Sequence, residues 1–145
     1  MIWQAPRMLR LVFALAIGTW LGAVVSLTYV VTPTAHGTFD PRDARRLLRP
    51  LFPRHYGLGI ACGFIALGTI FASKESLPYE HVLRLALPTA IGLVCTVVGR
   101  QVLLPRLQKL DGDDPRFGRL HQMAAMLNTT TLGALVLAMA AAVAR

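Results

Sequence analysis

Four long apolar stretches alternate along the chain with short segments in which the charges crowd. The first runs from Leu11 to Val31 and the second from His55 to Ala72, both without a charge; the third, Leu85 to Leu104, carries only Arg100 near its far end. The fourth reaches from His121 to Val143. A hydrocarbon core about 30 Å thick is crossed by roughly 20 helical residues. The pattern therefore predicts four membrane-spanning helices, over about residues 11–31, 55–72, 85–104 and 121–143. The connections are too short for a second domain, so residues 1–145 form one all-α transmembrane domain, an integral membrane four-helix bundle. The first run is longer than the roughly 7 to 15 apolar residues of a removable signal peptide, and it is read as a retained helix.

The connecting segments have signals of their own. In "FDPRDARRLLRPLFPR" Asp40 stands where an N-cap belongs and Pro41 at the first helical position, with Leu47, Leu48, Leu51 and Phe52 set among arginines. This predicts a short interfacial helix between helices one and two, with its arginines toward anionic headgroups. Asp114 and Pro115 repeat the device before helix four, which should start one to two turns ahead of the membrane. Close packing in a bilayer favours small residues. Ala14, Gly18, Gly22 and Ser26 on helix one, Gly59 and Gly63 on helix two, and Gly92, Thr96 and Gly99 on helix three form such stripes, and helix four is rich in alanine.

Composition sharpens this picture. With 54% hydrophobic and 15% charged residues, and a mean hydropathy of +0.54, the chain departs from soluble domains, which carry about 25% charged residues. A net charge of +8 would suggest nucleic acid in a soluble protein, but here the basic residues flank apolar spans, and no nucleic-acid partner is expected. Arg42, Arg45, Arg46, Arg49, Arg54, Arg100, Arg106, Lys109, Arg116 and Arg119 fall on one side; Arg7, Arg10, Lys74, Arg84 and Arg145 fall on the other. The positive-inside rule then places loops 32–54 and 105–120 in the cytoplasm and both termini outside, in a bacterial inner membrane. Cys62 and Cys95 lie within apolar helices and are read as packing residues.

Chemistry-bearing residues are few. His121 and Asn128 are seven apart, on one stripe of helix four, with Asn128 about 10 Å deeper. A carboxamide in hydrocarbon needs partners, so Asn128 should face the interior, and Thr131 continues the stripe. His55 and Tyr56 open helix two on the same side of the membrane, and Arg100 is the one charge within a span, placed to snorkel or to pair with Asp111, Asp113 or a substrate anion. His55, Tyr56, Arg100, His121 and Asn128 are the candidate ligand-binding residues. His36, His55 and His121 fall on one side and are the candidate metal ligands, although no spacing is a metal signature. The sequence requires no cofactor; haem or a metal ion is what these histidines would admit. The "DGDD" cluster lacks the alternating ligands of a calcium loop and is read as helix capping. Nucleophile elbow, Cys-x-x-Cys and phosphate-loop patterns are missing, and no span contains a carboxylate, which weighs against an enzyme.

"GTWLGAVVSLTYVVTP", "LLRPLFPRHYGLGI" and "RFGRLHQMAAMLN", in this order, resemble the transmembrane protein 205-like family, catalogued in bacteria as domain of unknown function 4149. The resemblance covers nearly the whole chain and implies a small four-span membrane protein without an established activity. It places recurring family features on Gly22, Pro33, Leu51, Phe52, Pro53, Tyr56, His121 and Asn128; Thr28 and Tyr29 stand where the family tends to have paired aromatics. The leading expectation is a protein that binds or moves a small ligand or ion through a polar stripe on the cytoplasmic side. The alternatives are a haem- or metal-dependent membrane redox protein using His55 and His121, and a structural or accessory subunit of a membrane complex. The expected partners are the lipid bilayer and either further copies of the chain or a partner membrane subunit.

Overall fold

The computed structural model describes residues 5–110 and 114–144, and these residues are helical almost throughout. Helix α1 (Ala5–Val25) continues through a π-helical turn (Ser26–Val31) into α2 (Thr32–Thr38), making one rod. Helix α3 (Pro41–Ala72) is the second rod. A 3₁₀ turn (Lys74–Ser76) leads to α4 (Tyr79–Val98), which passes through a second π-helical turn (Gly99–Leu103) into α5 (Leu104–Lys109). Helix α6 (Pro115–Val143) completes the set. All four rods are long and apolar enough to cross a membrane. Consecutive rods run antiparallel and pack in a ring: α1 against α3 and α6, and α4 against α3 and α6.

The rods are longer than the spans expected from hydropathy, because helix continues into the charged segments. Residues 41–54 are helical as expected, but they run without a break into the second span instead of forming a separate interfacial helix. Pro50 and Pro53 lie inside this helix. Each removes one hydrogen bond, which the rest of the rod tolerates. Asp40 occupies the N-cap position without a capping hydrogen bond. Asp114 does cap α6, its side chain accepting from the Arg116 amide at 2.8 Å and binding the Arg116 guanidinium at 3.0 Å. That hydrogen bonding to Arg116 lowers the Asp114 pKa below the usual carboxylate range. Asp111 and Asp113, the alternative partners considered for Arg100, lie outside the described residues.

The core of the α1 rod is Phe13, Ile17, Trp20, Val24 and Leu27, an alternating three- and four-residue spacing that lines one helical face. The stripe Ala14, Gly18, Gly22 and Ser26 is turned away from it, with Gly22 and Ser26 exposed, so this stripe is not the packing face expected of it. The close approach is made on the partner helices. Gly59 and Gly63 of α3 and Gly92 of α4 surround the fully buried Trp20 ring; a Cβ at Gly59 would lie 2.6 Å from Trp20 Nε1. Thr89, Thr96 and Thr131 are buried and donate to carbonyls of their own helices, so they add no unmet polar group to the core. Beyond Tyr56 this core, with Leu93, Leu135 and Ala138, closes the axis of the bundle.

Candidate functional site

At the Arg-rich end, the four rods draw apart around a half-open cavity of about 770 Å³. Its walls are one stripe from each rod. Thr28, Thr32 and His36, at four-residue intervals, come from the first. Arg45, Arg49, Phe52 and Tyr56 of α3 follow the same helical periodicity. Leu104, Leu107 and Gln108 come from the third rod, and Phe117, His121, Ala124 and Asn128 from α6. A small apolar cluster of Ala35, Ala44 and Leu48, flanked by Val31, Leu51 and Phe52, fastens α2 to α3 and makes one wall rigid.

Two π-helical turns lie toward this end of the bundle, and each ends two residues before a proline. Pro33 and Pro105 have no N–H, and their rings crowd the carbonyl four residues back. The widened turns absorb the conflict: the Thr32 amide bonds the Leu27 carbonyl and the Leu104 amide bonds the Gly99 carbonyl, five residues back in each case. The first turn places Leu27 and Thr28 at the cavity floor. The second brings Gly99 against Tyr56, where a Cβ would lie 2.8 Å from Tyr56 Cε1.

Polarity is layered. The floor carries the neutral groups Thr28, Tyr56 and Asn128, seven residues or about 10 Å deeper than His121 in the case of Asn128. Tyr56 is buried, while Thr28 and Asn128 are half-buried. Thr28 Oγ1 is enclosed and has no hydrogen-bond partner among the described residues. The mouth carries the charge. Arg45 lies over the Phe117 ring at 5.2 Å, and Phe117 stacks on His121 with centroids 6.0 Å apart and planes 9° from parallel. This stack joins α3 to α6 across the opening. His36 Nδ1 is 2.8 Å from the Thr32 carbonyl; a carbonyl only accepts, so Nδ1 carries the proton.

Of the residues expected from the sequence to bind a ligand, Tyr56, His121 and Asn128 line this cavity and His55 and Arg100 do not. His55 makes an edge contact with Tyr56, and the Arg100 guanidinium lies across α3, 3.3 Å from where a Cβ on Gly57 would stand. Of the candidate metal ligands, His36 and His121 face the cavity without His55. Among the described residues, no three His, Cys, Asp or Glu side chains come together to hold a metal ion. The sequence reading did not assign Arg45, Arg49, Phe52, Thr28 and Phe117 to a site. The signal for the α3 set is the spacing of Arg45, Arg49, Phe52 and Tyr56; the sequence alone turns those arginines toward anionic headgroups, because it does not place the third and fourth rods opposite them.

No curated protein and no solved structure matches the chain. A family model described as "Domain of unknown function (DUF4149)" matches residues 15–116, which reach from the first rod through the whole third rod to the start of α6. The chain is therefore a member of the DUF4149 family of proteins, an integral membrane four-helix bundle with a cavity at its Arg-rich end.

Proposed function

We propose that this protein binds a small ligand in the cavity at its Arg-rich end, and that this end faces the cytoplasm of a bacterial inner membrane. The observation that carries the reading is the space of about 770 Å³ itself, walled by apolar side chains with Tyr56 and Asn128 at its floor and Arg45 and Arg49 at its mouth. The volume falls within the roughly 300 to 1,000 Å³ of small-molecule sites, and the mixture of apolar walls with a few convergent polar groups is theirs as well. The packed core beyond Tyr56 supports binding over passage through the bundle. The orientation rests on the arginine and lysine asymmetry between the two ends. The wider kinship with transmembrane protein 205-like proteins, carried by the quoted segments of helices one, two and four, belongs to the same proposal.

The test is native mass spectrometry of the protein extracted in mild detergent, beside Ala124→Trp, which fills the cavity from α6. The expected result is a bound small molecule on the unaltered protein, lost from a folded Ala124→Trp variant. Equal occupancy of the two proteins, or none on either, would overturn the reading.

A further inference from the structure

We infer that the ligand is an anionic phospholipid, its phosphate held by Arg45 and Arg49 and its acyl portion lying in the cavity; this rests on the proposed ligand-binding role of the cavity. The two arginines are four residues apart on α3 and both line the cavity, so two like charges stand one turn from each other, roughly 5 to 6 Å apart at Cβ. Among the described residues no carboxylate lines the cavity or pairs with either arginine. Of the described acids nearby, Asp43 pairs with Arg46 at 4.0 Å and Asp114 with Arg116 at 3.0 Å, and Asp40 pairs with neither arginine. An anion held between Arg45 and Arg49 would supply a counter-charge that no described residue gives them. Two guanidinium forks offer more donors than a single carboxylate receives in bidentate fashion, and a phosphate with its additional ester oxygens accepts both.

The depth of the pair selects a lipid over a free anion. A rod of 32 residues is about 48 Å long, against a hydrocarbon core of about 30 Å, and the excess lies largely at the Arg-rich end. Tyr56 and Leu104 stand where the apolar stretches end. Arg49 is seven residues outward from Tyr56, about 10 Å along the helix, at the level of the headgroups. Inward of it the walls are Phe52, Leu104 and Leu27, which inorganic phosphate would leave facing water. One molecule thus meets the charge at the mouth and the apolar walls together.

The experiment measures binding of three probes to the full chain in detergent: dioleoyl phosphatidylglycerol, dioleoylglycerol with the same chains and no phosphate, and inorganic phosphate. The unaltered protein should bind phosphatidylglycerol at least tenfold more tightly than dioleoylglycerol, with no displacement by inorganic phosphate. Arg45→Gln/Arg49→Gln should weaken phosphatidylglycerol at least tenfold, while Arg42→Gln/Arg46→Gln, on the same helix but outside the cavity, should stay within twofold. Equal weakening by the two pairs, equal binding of the two lipids, or displacement by phosphate would each overturn the inference. If the Arg45/Arg49 variant does not fold, the comparison of the two lipids on the unaltered protein decides the point. Should the lipids bind equally but be excluded by Ala124→Trp, only the phospholipid assignment fails; should no probe respond to Ala124→Trp, the cavity reading fails with it.

Discussion

Trp20 owes its position to what its neighbours lack. Its ring is completely buried among Gly59, Gly63 and Gly92, and on α3 a methyl at Gly59 or Gly63 would crowd it. A Cβ on Gly63 would stand 2.8 Å from Leu93 Cδ1 and 3.1 Å from Trp20 Cζ3, and both side chains belong to the buried core. Gly63→Ala should therefore destabilise the bundle by roughly 1 to 3 kcal/mol, the usual cost of overpacking a core. Gly22→Ala meets nothing within 4 Å and should be neutral within about 0.5 kcal/mol, as surface changes are. Reversible unfolding in detergent distinguishes them, and equal stability of the two variants would refute this account of the core. Both glycines stood in small-residue stripes in the sequence. Which stripe was buried depended on where the one large ring of helix one pointed, and that was not contained in the spacing of small residues.

Among the elements, the two π-helical turns lie toward the open end of the bundle, and the first contributes Leu27 and Thr28 to the cavity. They occur where Pro33 and Pro105 interrupt otherwise continuous rods, and each shifts the register by one residue just above the packed core. Because one residue in a helix corresponds to about 100° of rotation, this shift decides which side chains of the preceding segment meet the cavity. Replacing Pro33 with Ala restores an amide able to bond the Tyr29 carbonyl, and the turn should tighten to ordinary α-helix. The expected consequence is slower amide hydrogen exchange over residues 27–33 and weaker ligand retention, as Thr28 rotates from the floor. Unchanged exchange would mean that tertiary packing, and not the proline, holds the wide turn. The prolines are visible in the sequence, but both turns lie in the last residues of the helices expected over 11–31 and 85–104, where hydropathy carries no mark of a widened turn.

At the scale of the molecule, the asymmetry of charge and the asymmetry of packing coincide. One end is filled by Trp20, Ile17, Leu135 and Ala138, while the other carries the cavity and most of the arginines. The proposed orientation predicts the outcome of cysteine labelling in intact cells, after Cys62 and Cys95 are changed to serine. A cysteine at Asp43 should be shielded from a membrane-impermeant maleimide until the membrane is opened, and one at Ser76 should react at once. The reverse pattern would place the cavity outside and remove the cytoplasmic side from the proposed function.

Legible in the sequence alone were the number of apolar rods and the accumulation of positive charge at one end, while the rods run about two to four turns longer than the spans read from hydropathy. Both readings follow from local hydrophobicity and the thickness of the bilayer, which act on each segment separately. The sequence also marked Tyr56, His121 and Asn128, because polar groups near or within apolar helices need partners wherever the helices are placed. Only the tertiary structure decided that Trp20 fills the centre, that the glycine stripe of helix one faces outward, and that Arg45 and Arg49 line a cavity with Thr28. Those outcomes depend on the rotation of each rod about its axis and on which rods are neighbours. In hydrocarbon, where every rod is apolar on all sides, rotation is set by the fit of side chains between helices and not by an apolar stripe that the sequence displays.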